Sequence, residues 1–538
     1  MRLLRALGLI LLFAAGFGAP AHADEGELRT IIAKFATSKN FRETEAVVRE
    51  LAATGDPAVG RPLGALADGN LSFRKSDGQV FIVSEAGGAL TLLDPLSGGR
   101  SGEAASREVT KVRVNNSLRR AVREAIGALT LNSPDAGVRL SAAETMFRSP
   151  DPEAIDALDA AIAVEAVANV KSRMEEARAA AVLASDLGDS EKLAALKTIE
   201  RRGDRTALSL LAAVKGRADG VLKGAAARSA ANVRETLSAW DAAQNVWFGI
   251  SLGSVLLLAA IGLAITFGVM GVINMAHGEM VMLGAYTTFV VQNVIRASYP
   301  GLFDWSLAIA LPLAFLVAGG VGLIIERGVI RFLYGRPLET LLATWGVSLI
   351  LQQAVRTIFG PTNREVGNPS WMSGAFEIGQ MSITWNRLWI VVFAFTVFAV
   401  LLYVFKFTAW GLHMRAVTQN RRMAASMGIR TPWVDALTFA LGSGIAGIAG
   451  VALSQIDNVS PNLGQGYIID SFMVVVFGGV GNLWGTFVGA MTLGVVNKFL
   501  EPYAGAVLGK IIVLVLIILF IQKRPRGLFA LKGRSVEA

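Results

Sequence analysis

Between Phe248 and Gly278 the chain contains no Asp, Glu, Lys or Arg. About 20 consecutive apolar residues suffice to cross the hydrocarbon of a bilayer. In that solvent the backbone must satisfy its own hydrogen bonds, so such a run folds as a helix. Further apolar runs follow at about 280–296, 305–326, 340–358, 387–407, 433–453, 471–500 and 503–521. The charge is divided accordingly. Residues 24–246 hold 30 Lys/Arg and 31 Asp/Glu, net −1, whereas residues 247–538 hold 19 and 11, net +8. The basic residues of the second part punctuate apolar segments and do not cluster on a polar domain, which excludes a nucleic-acid partner.

The start of the chain has Arg2 and Arg5, an apolar core from Leu7 to Phe17, and Ala21-His22-Ala23 before Asp24. A basic head, a short apolar segment and an A-x-A end predict a signal peptide over 1–23, so the polar domain that follows is expected outside the cytoplasm. That domain, 24–240, opens with helical spacing of Ile31, Ile32, Phe35, Val47, Val48 and Leu51. Short strand-like runs between about 71 and 114, separated by Gly-rich turns, predict a small hairpin sheet. From Ser117 to about 236 the sequence is Ala-rich and helical. Ala142-Ala143…Glu153-Ala154-Ile155…Leu158 recurs 38 residues later as Ala180-Ala181…Glu191-Lys192-Leu193…Leu196. That spacing suggests HEAT-like helix pairs. The domain shows no nucleophile–base pair and reads as a binding or scaffolding module. Glu175-Glu176 is either a solvated helix face or a docking surface.

Basic clusters favour the cytoplasmic side of a membrane. They occur at Arg327/Arg331/Arg336, Arg415/Arg421/Arg422/Arg430 and Lys523/Arg524/Arg526/Lys532/Arg534. With the polar domain outside, the first two clusters fall inside. The third does so only if 471–500 is split into two short helices or dips in and returns. Gly478-Gly479-Val480-Gly481-Asn482-Leu483-Trp484-Gly485 marks the break. Interrupted helices at membrane depth are tolerated where they are buried or line a cavity, and small residues also permit close helix packing. The predicted fold is therefore an all-α polytopic membrane protein. It has about 8–10 membrane segments, including a broken or re-entrant helix, over about 247–530. It carries an N-terminal extracytoplasmic α+β domain that is partly HEAT-like.

The chain has no cysteine and three histidines, His22, His277 and His413, none with a second His at metal-ligand spacing. No stretch matches GxxxxGK[ST]; Gly509-Lys510 is followed by Ile511. No cofactor, metal site, ATP site or catalytic residue is predicted. Candidate path residues are the uncharged polar groups at Asn274, His277, Thr344, Gln352, Gln353, Gln455 and Asn482. Amides and hydroxyls suit a neutral, strongly hydrogen-bonding solute, and they equally stabilise helix packing. Asn274-Met275-Ala276-His277-Gly278-Glu279 is either a path-lining segment or a tight turn at a membrane end, with Glu279 near a helix N-terminus. Lys510 is expected to snorkel, with Glu501 exposed.

Gly271-Val-Ile-Asn-Met-Ala-His-Gly-Glu279 with Gly284-Ala-Tyr286, Arg415-Ala-Val-Thr-Gln-Asn420…Ala424-Ala-Ser-Met-Gly-Ile429, Val475-Val-Phe-Gly-Gly-Val-Gly-Asn482 and Arg524-Pro-Arg-Gly-Leu-Phe529 occur in that order. Together they resemble the motifs of branched-chain amino-acid-type ABC permeases over about 245–530. The N-terminal extension and the ending Lys498-Phe-Leu-Glu-Pro502…Gly509-Lys510…Phe520-Ile-Gln-Lys-Arg-Pro525 resemble the urea-importing branch.

The resemblance implies a permease subunit in a bacterial inner membrane, with its C-terminus cytoplasmic. It also implies a second permease subunit, two cytoplasmic ATP-binding subunits and a periplasmic solute-binding protein as partners. Its coupling loop would lie at 411–431, with Met414, Arg415, Arg421, Arg422, Met427 and Gly428 at the ATPase contact. A branched-chain amino-acid permease and a stand-alone small-solute channel are the alternatives.

Overall fold

A computed structural model describes residues 25–529 except 39, 55, 87, 88 and 106. The predicted signal peptide and the end of the basic tail lie outside the described residues. The chain divides into two compact units after Leu237.

The first unit opens with α1 (Glu25–Thr37), α2 (Phe41–Ala53) and α3 (Gly60–Ala67). The Asn40 side chain caps α2 by accepting from the Glu43 N–H at 3.0 Å and donating to the Glu43 carboxylate at 2.7 Å. The first bond satisfies a helix-end N–H that would otherwise lack a partner, and the second ties the two side chains together. Next come β1 (Leu71–Arg74), β2 (Val80–Ala86), β3 (Ala89–Leu93), β4 (Arg100–Ala104) and β5 (Val109–Lys111). They form one antiparallel sheet in the order β4-β3-β2-β1-β5, with Leu71 opposite Ile82 and Val83 opposite Leu92. Strand β4 carries no strand pattern of its own: Arg-Ser-Gly-Glu-Ala is exposed at all but its last residue and lacks apolar alternation. Pairing with β3 creates it.

The helical part comprises α4 (Asn116–Leu131), α5 (Ala136–Arg148), α6 (Ile155–Val164), α7 (Ala168–Ala184), α8 (Asp189–Arg202) and α9 (Arg205–Arg217). The 38-residue spacing maps α5 and α6 onto α7 and α8. One core joins them through Phe147, Leu158, Met174, Leu196 and Leu211. Arg202 pins three helices: it bonds Glu144 at 2.9 Å, Glu176 at 2.7 Å and Asp204 at 2.6 Å, and stacks over Phe147. Glu176 is thus spent inside the fold; only Glu175 of the acidic pair remains exposed.

The unit boundary falls inside α10 (Gly220–Met270). The second unit continues with α11 (His277–Ser298), α12 (Ser306–Gly328), α13 (Pro337–Phe359), the hairpin β6 (Ala375–Ile378) and β7 (Met381–Thr384), and α14 (Trp385–Phe407). The short α15 (Ala409–Gln419) and α16 (Arg421–Ser426) precede α17 (Thr431–Leu453), α18 (Leu463–Gly478) and α19 (Leu483–Lys523). Among the described residues five helices are long and apolar enough to cross a membrane: α10, α12 with its flanking turns, α14, α17 and α19. The apolar stretches of α10 and α17 are 83% and 78% buried in the protein, against 28% for α14 and 17% for α19. The first two are therefore the centre, while α14 and the most apolar stretch of α19 lie at the periphery.

Small residues let α17 reach that centre. A Cβ on Gly442 would stand 2.6 Å from the Gly262 carbonyl of α10, and one on Gly447 would stand 2.6 Å from the Ala314 carbonyl of α12. The predicted glycine break separates α18 from α19, where Gly478 and Gly485 meet. Helix α19 itself bends at Gly505, three residues after Pro502. Its second half folds back, so that Gly509 approaches Leu500, and Phe520 lies 5.0 Å from Phe477. Leu528 and Phe529 then bond the carbonyls of Phe477 and Gly478. The end of α18, the start of α19 and the chain after α19 thus share one end of the bundle. Gly268 of α10 is there too, against Gly481. Lys510 does not snorkel alone: it pairs with buried Asp470 at 2.8 Å, and Glu501 pairs with Lys498.

Two measurements follow. Burial pushes the Asp94 carboxyl up, but Arg29, the Ser97 N–H and hydroxyl and the Leu96 N–H bring it down to about 2. A depressed carboxyl contributes stability that is present above the unfolded value near 4 and is lost as pH falls toward 2. Because Arg29 is half exposed, the contribution is at most about 2 kcal/mol. Asp94→Asn is expected to lower protection of the sheet in hydrogen exchange at pH 6 and to flatten its change between pH 4 and 2. Gly447→Val is expected to abolish monodisperse extraction in detergent. Gly346→Ala, with open space at its Cα, leaves extraction unchanged.

Candidate functional site

After Met270 the backbone turns at Gly271, whose φ of 69° is open to glycine at little cost. The following residues fold back along α10. The first residue of α11, His277, bonds through Nε2 to the carbonyl of Ala259 at 2.8 Å. Ala259 lies eleven residues before the end of α10, so the Asn274–Glu279 segment sits beside the middle of an apolar helix. The segment is therefore not a turn standing beyond the end of α10 but one folded back against it. Its local turn chemistry does hold, because Asn274 Oδ1 accepts the Ala276 N–H at 3.0 Å. Asn274, His277 and Glu279 are each 1% exposed.

Helix α13 supplies the facing groups. Thr344, Ser348 and Gln352 recur every four residues and so share one helix face. Thr344 Oγ1 accepts the Met275 N–H at 3.1 Å. Ser348 Oγ and Gln352 Nε2 both donate to Glu279 Oε1 at 2.9 Å. Gln353, one residue further on, is exposed and does not join them.

Three buried polar atoms of the segment have no partner: Asn274 Nδ2, His277 Nδ1 and Glu279 Oε2. A carbonyl can only accept, so His277 Nε2 carries the proton and Nδ1 is a bare acceptor. The segment therefore offers one free NH₂ group, with two N–H donors, and two free acceptor atoms, and an unmet buried polar group is costly.

The other candidate path residues lie elsewhere. Asn482 caps α19, accepting from the N–H groups of Trp484 and Gly485. Gln455 lies beside an apolar cavity of about 140 Å³ lined by Leu307, Trp371, Met372 and Trp389, among others. Sequence reasoning passed over Ser348 and left the role of Glu279 open. The four-residue spacing from Thr344 through Gln352 is the signal that finds Ser348.

In the 411–431 segment, Met414 is buried in the core beneath α15, and Val417 and Ala424 are buried with it. Arg415, Arg422, Met427 and Gly428 are exposed, as are Leu412 and Met423. Arg421 forms an ion pair with the buried carboxylate of Asp435 on α17. Met414 is 1% exposed, so a charge placed there disturbs the core as well as any docking surface.

Five helices long and apolar enough to cross a membrane, beside a buried amide, imidazole and carboxylate cluster held between α11 and α13, describe a multi-pass membrane protein. Residues 245–521 match the family model of the branched-chain amino acid transport system permease component. The chain is similar to the high-affinity branched-chain amino acid transport system permease protein LivH of Salmonella typhimurium, 32% identical over 296 residues, 53% of this chain and 94% of that protein. It is similar to BraD, the corresponding permease protein of Pseudomonas aeruginosa, 30% identical over 293 residues, with the same shares covered. It is also similar to the ribose import permease protein RbsC of Escherichia coli K12, 25% identical over 258 residues, 46% of this chain and 75% of that one. No solved structure matches. The chain belongs to the branched-chain amino acid transport permease family: it is a permease component of an ABC importer, a transport subunit whose 538 residues include no ATPase domain. Importers of this kind in general work with ATPase and binding-protein partners.

Removing a donor to Glu279 strips a buried carboxylate of a hydrogen bond, which costs about 1–3 kcal/mol. Gln352→Leu and Ser348→Ala are each expected to lower the melting temperature of the detergent-extracted protein. Gln353→Leu, on the exposed face, changes stability by less than about 0.5 kcal/mol.

Proposed function

We propose that this chain is the permease subunit of an ABC importer for a small neutral amide, urea in the first place. On this reading a second permease subunit completes the path, two cytoplasmic ATPase subunits drive it, and a periplasmic receptor delivers the solute. The observation that carries the reading is the set of free polar atoms at Asn274, His277 and Glu279. Urea presents two NH₂ groups and one carbonyl oxygen. Two acceptor atoms for its NH₂ groups and one NH₂ group for its carbonyl oxygen are its complement, and no net charge has to be carried through the apolar bundle.

The orientation follows from the basic residues. Arg327, Arg331 and Arg336, the arginines of 415–430, and the segment after α19 are placed on the cytoplasmic side. Nine helical segments then enter or cross the membrane: the second part of α10, then α11, α12, α13, α14, α17 and α18, and the two halves of α19. The first unit is periplasmic and stands near the docking place of the receptor. Leu412, Arg415, Arg422, Met423, Met427 and Gly428 form the ATPase contact. ATP binding acts by favouring one permease conformation over another.

Branched-chain amino acids are the second reading, favoured by Arg356. It lies one turn beyond Gln352 on α13 and bonds Asn462 Oδ1 at 2.5 Å. A zwitterion could place its ammonium group at Glu279 and its carboxylate at Arg356.

The test is the ATPase activity of the complex reconstituted with its ATPase and receptor subunits. On the urea reading urea stimulates hydrolysis, leucine does not, and Arg356→Gln leaves the response within twofold. Stimulation by leucine that is lost in Arg356→Gln would establish the second reading. Met427→Asp is expected to reduce uptake at least tenfold while leaving expression intact.

A further inference from the structure

Two buried carboxylates stand at the end of the bundle that carries the 409–426 helices. Asp435, 0% exposed, is on the second turn of α17, and Glu326, 1% exposed, is on the last turn of α12. The Arg421 guanidinium on α16 bonds both oxygens of Asp435. The same guanidinium lies over the ring of Tyr334, 4.9 Å from its centroid. The Tyr334 hydroxyl donates to Glu326 Oε1 at 2.9 Å. The arginine beside Glu326, Arg327, stacks on Trp433 at the foot of α17. Tyr334 belongs to the tight turn that leads into α13, and Thr340 Oγ1 fastens that turn by donating to the Leu333 carbonyl at 3.1 Å. Helix α13 then carries Thr344, Ser348 and Gln352 to the polar cluster.

We propose that Arg421 and Tyr334 are positioning residues that link movement of the exposed 409–428 segment to α17 and, through the 330–336 turn, to the α13 face holding Glu279. The inference rests on the importer reading and adds the route by which the ATPase contact reaches the solute groups. A guanidinium held by a carboxylate in a fork and stacked on a ring resists rotation as well as separation. Parting it from Asp435 would leave a buried charge without a partner, which is strongly unfavourable. The 409–428 segment therefore cannot shift at this point without taking α17 and the Tyr334 turn along. Elsewhere the segment is held by apolar contacts of Met414, Val417 and Ala424, which can slide. The link is a two-ended one: one residue, Arg421, touches both α17 and the turn.

The experiment uses the complete reconstituted importer and reads three quantities: assembly by size-exclusion chromatography, basal ATP hydrolysis, and solute moved per ATP. Tyr334→Phe keeps the ring under Arg421 and removes only the bond to Glu326. It is expected to assemble, to keep basal hydrolysis within twofold, and to lower solute moved per ATP at least fivefold. Arg421→Lys, which keeps the charge and loses the fork and the stack, is expected to show the same uncoupling. The double variant should be no worse than the worse single one, because both break one route.

Unchanged solute per ATP in both variants, with assembly intact, would overturn the inference. So would a parallel loss of assembly, hydrolysis and uptake in Tyr334→Phe, which would make the cluster a structural anchor alone. A wild-type complex that shows no ATP-dependent uptake of either urea or leucine would instead overturn the importer reading on which it rests.

Discussion

The second unit depends on how closely α17 approaches its neighbours. Gly442, Gly447 and Gly450 set its backbone against α10, α12 and α11 in turn. In lipid there is no hydrophobic gain from bringing two helices together, so contact rests on packing at short range and on interhelical hydrogen bonds. A side chain at these positions would set its Cβ 2.0 to 2.6 Å from a carbonyl oxygen of the neighbouring helix, so the backbones would have to move apart. The polar cluster depends on small residues too: His277 can reach the Ala259 carbonyl because Gly262 has no Cβ, which would stand 2.8 Å from Cε1 of its ring.

The cluster is polar in surroundings where polarity is expensive. Each buried group there is either bonded or available, and the bonded ones fix the geometry of the available ones. Ser348 and Gln352 occupy one oxygen of Glu279 and leave the other free, while Ala259 fixes the tautomer of His277. A site assembled from two helices and a folded-back segment is sensitive to small movements of any one of them.

The two units use arginine in comparable ways. Arg202 gathers α5, α7 and α8 of the first unit by bonding three carboxylates, and Arg421 gathers α16, α17 and the 330–336 turn in the second. Both also stack on an aromatic ring, Phe147 and Tyr334. A planar group that bonds in its plane and stacks above it can fix several elements at once, which lysine cannot do. The two differ in exposure: Arg202 is sealed, whereas Arg421 is 41% exposed at its side chain and so stands between a surface and a core.

The sequence by itself determined which parts of the chain are apolar helices, where the glycine break between α18 and α19 falls, and that a small sheet and paired helices precede them. These are properties of composition and period, set by the local cost of placing each residue in water or lipid. It also supplied most members of the polar cluster, because an amide or imidazole in an apolar run stands out. It did not separate Gln352 from its neighbour Gln353, or Asn274 from Asn482, because residue type carries no direction. Nor did it show that Lys510 and Asp470 meet, that α19 folds back at Gly505, or that Met414 is core while Met427 is surface. Those outcomes depend on which helix faces which. That is fixed by contacts between residues far apart in the chain, and it is decided only when the bundle closes.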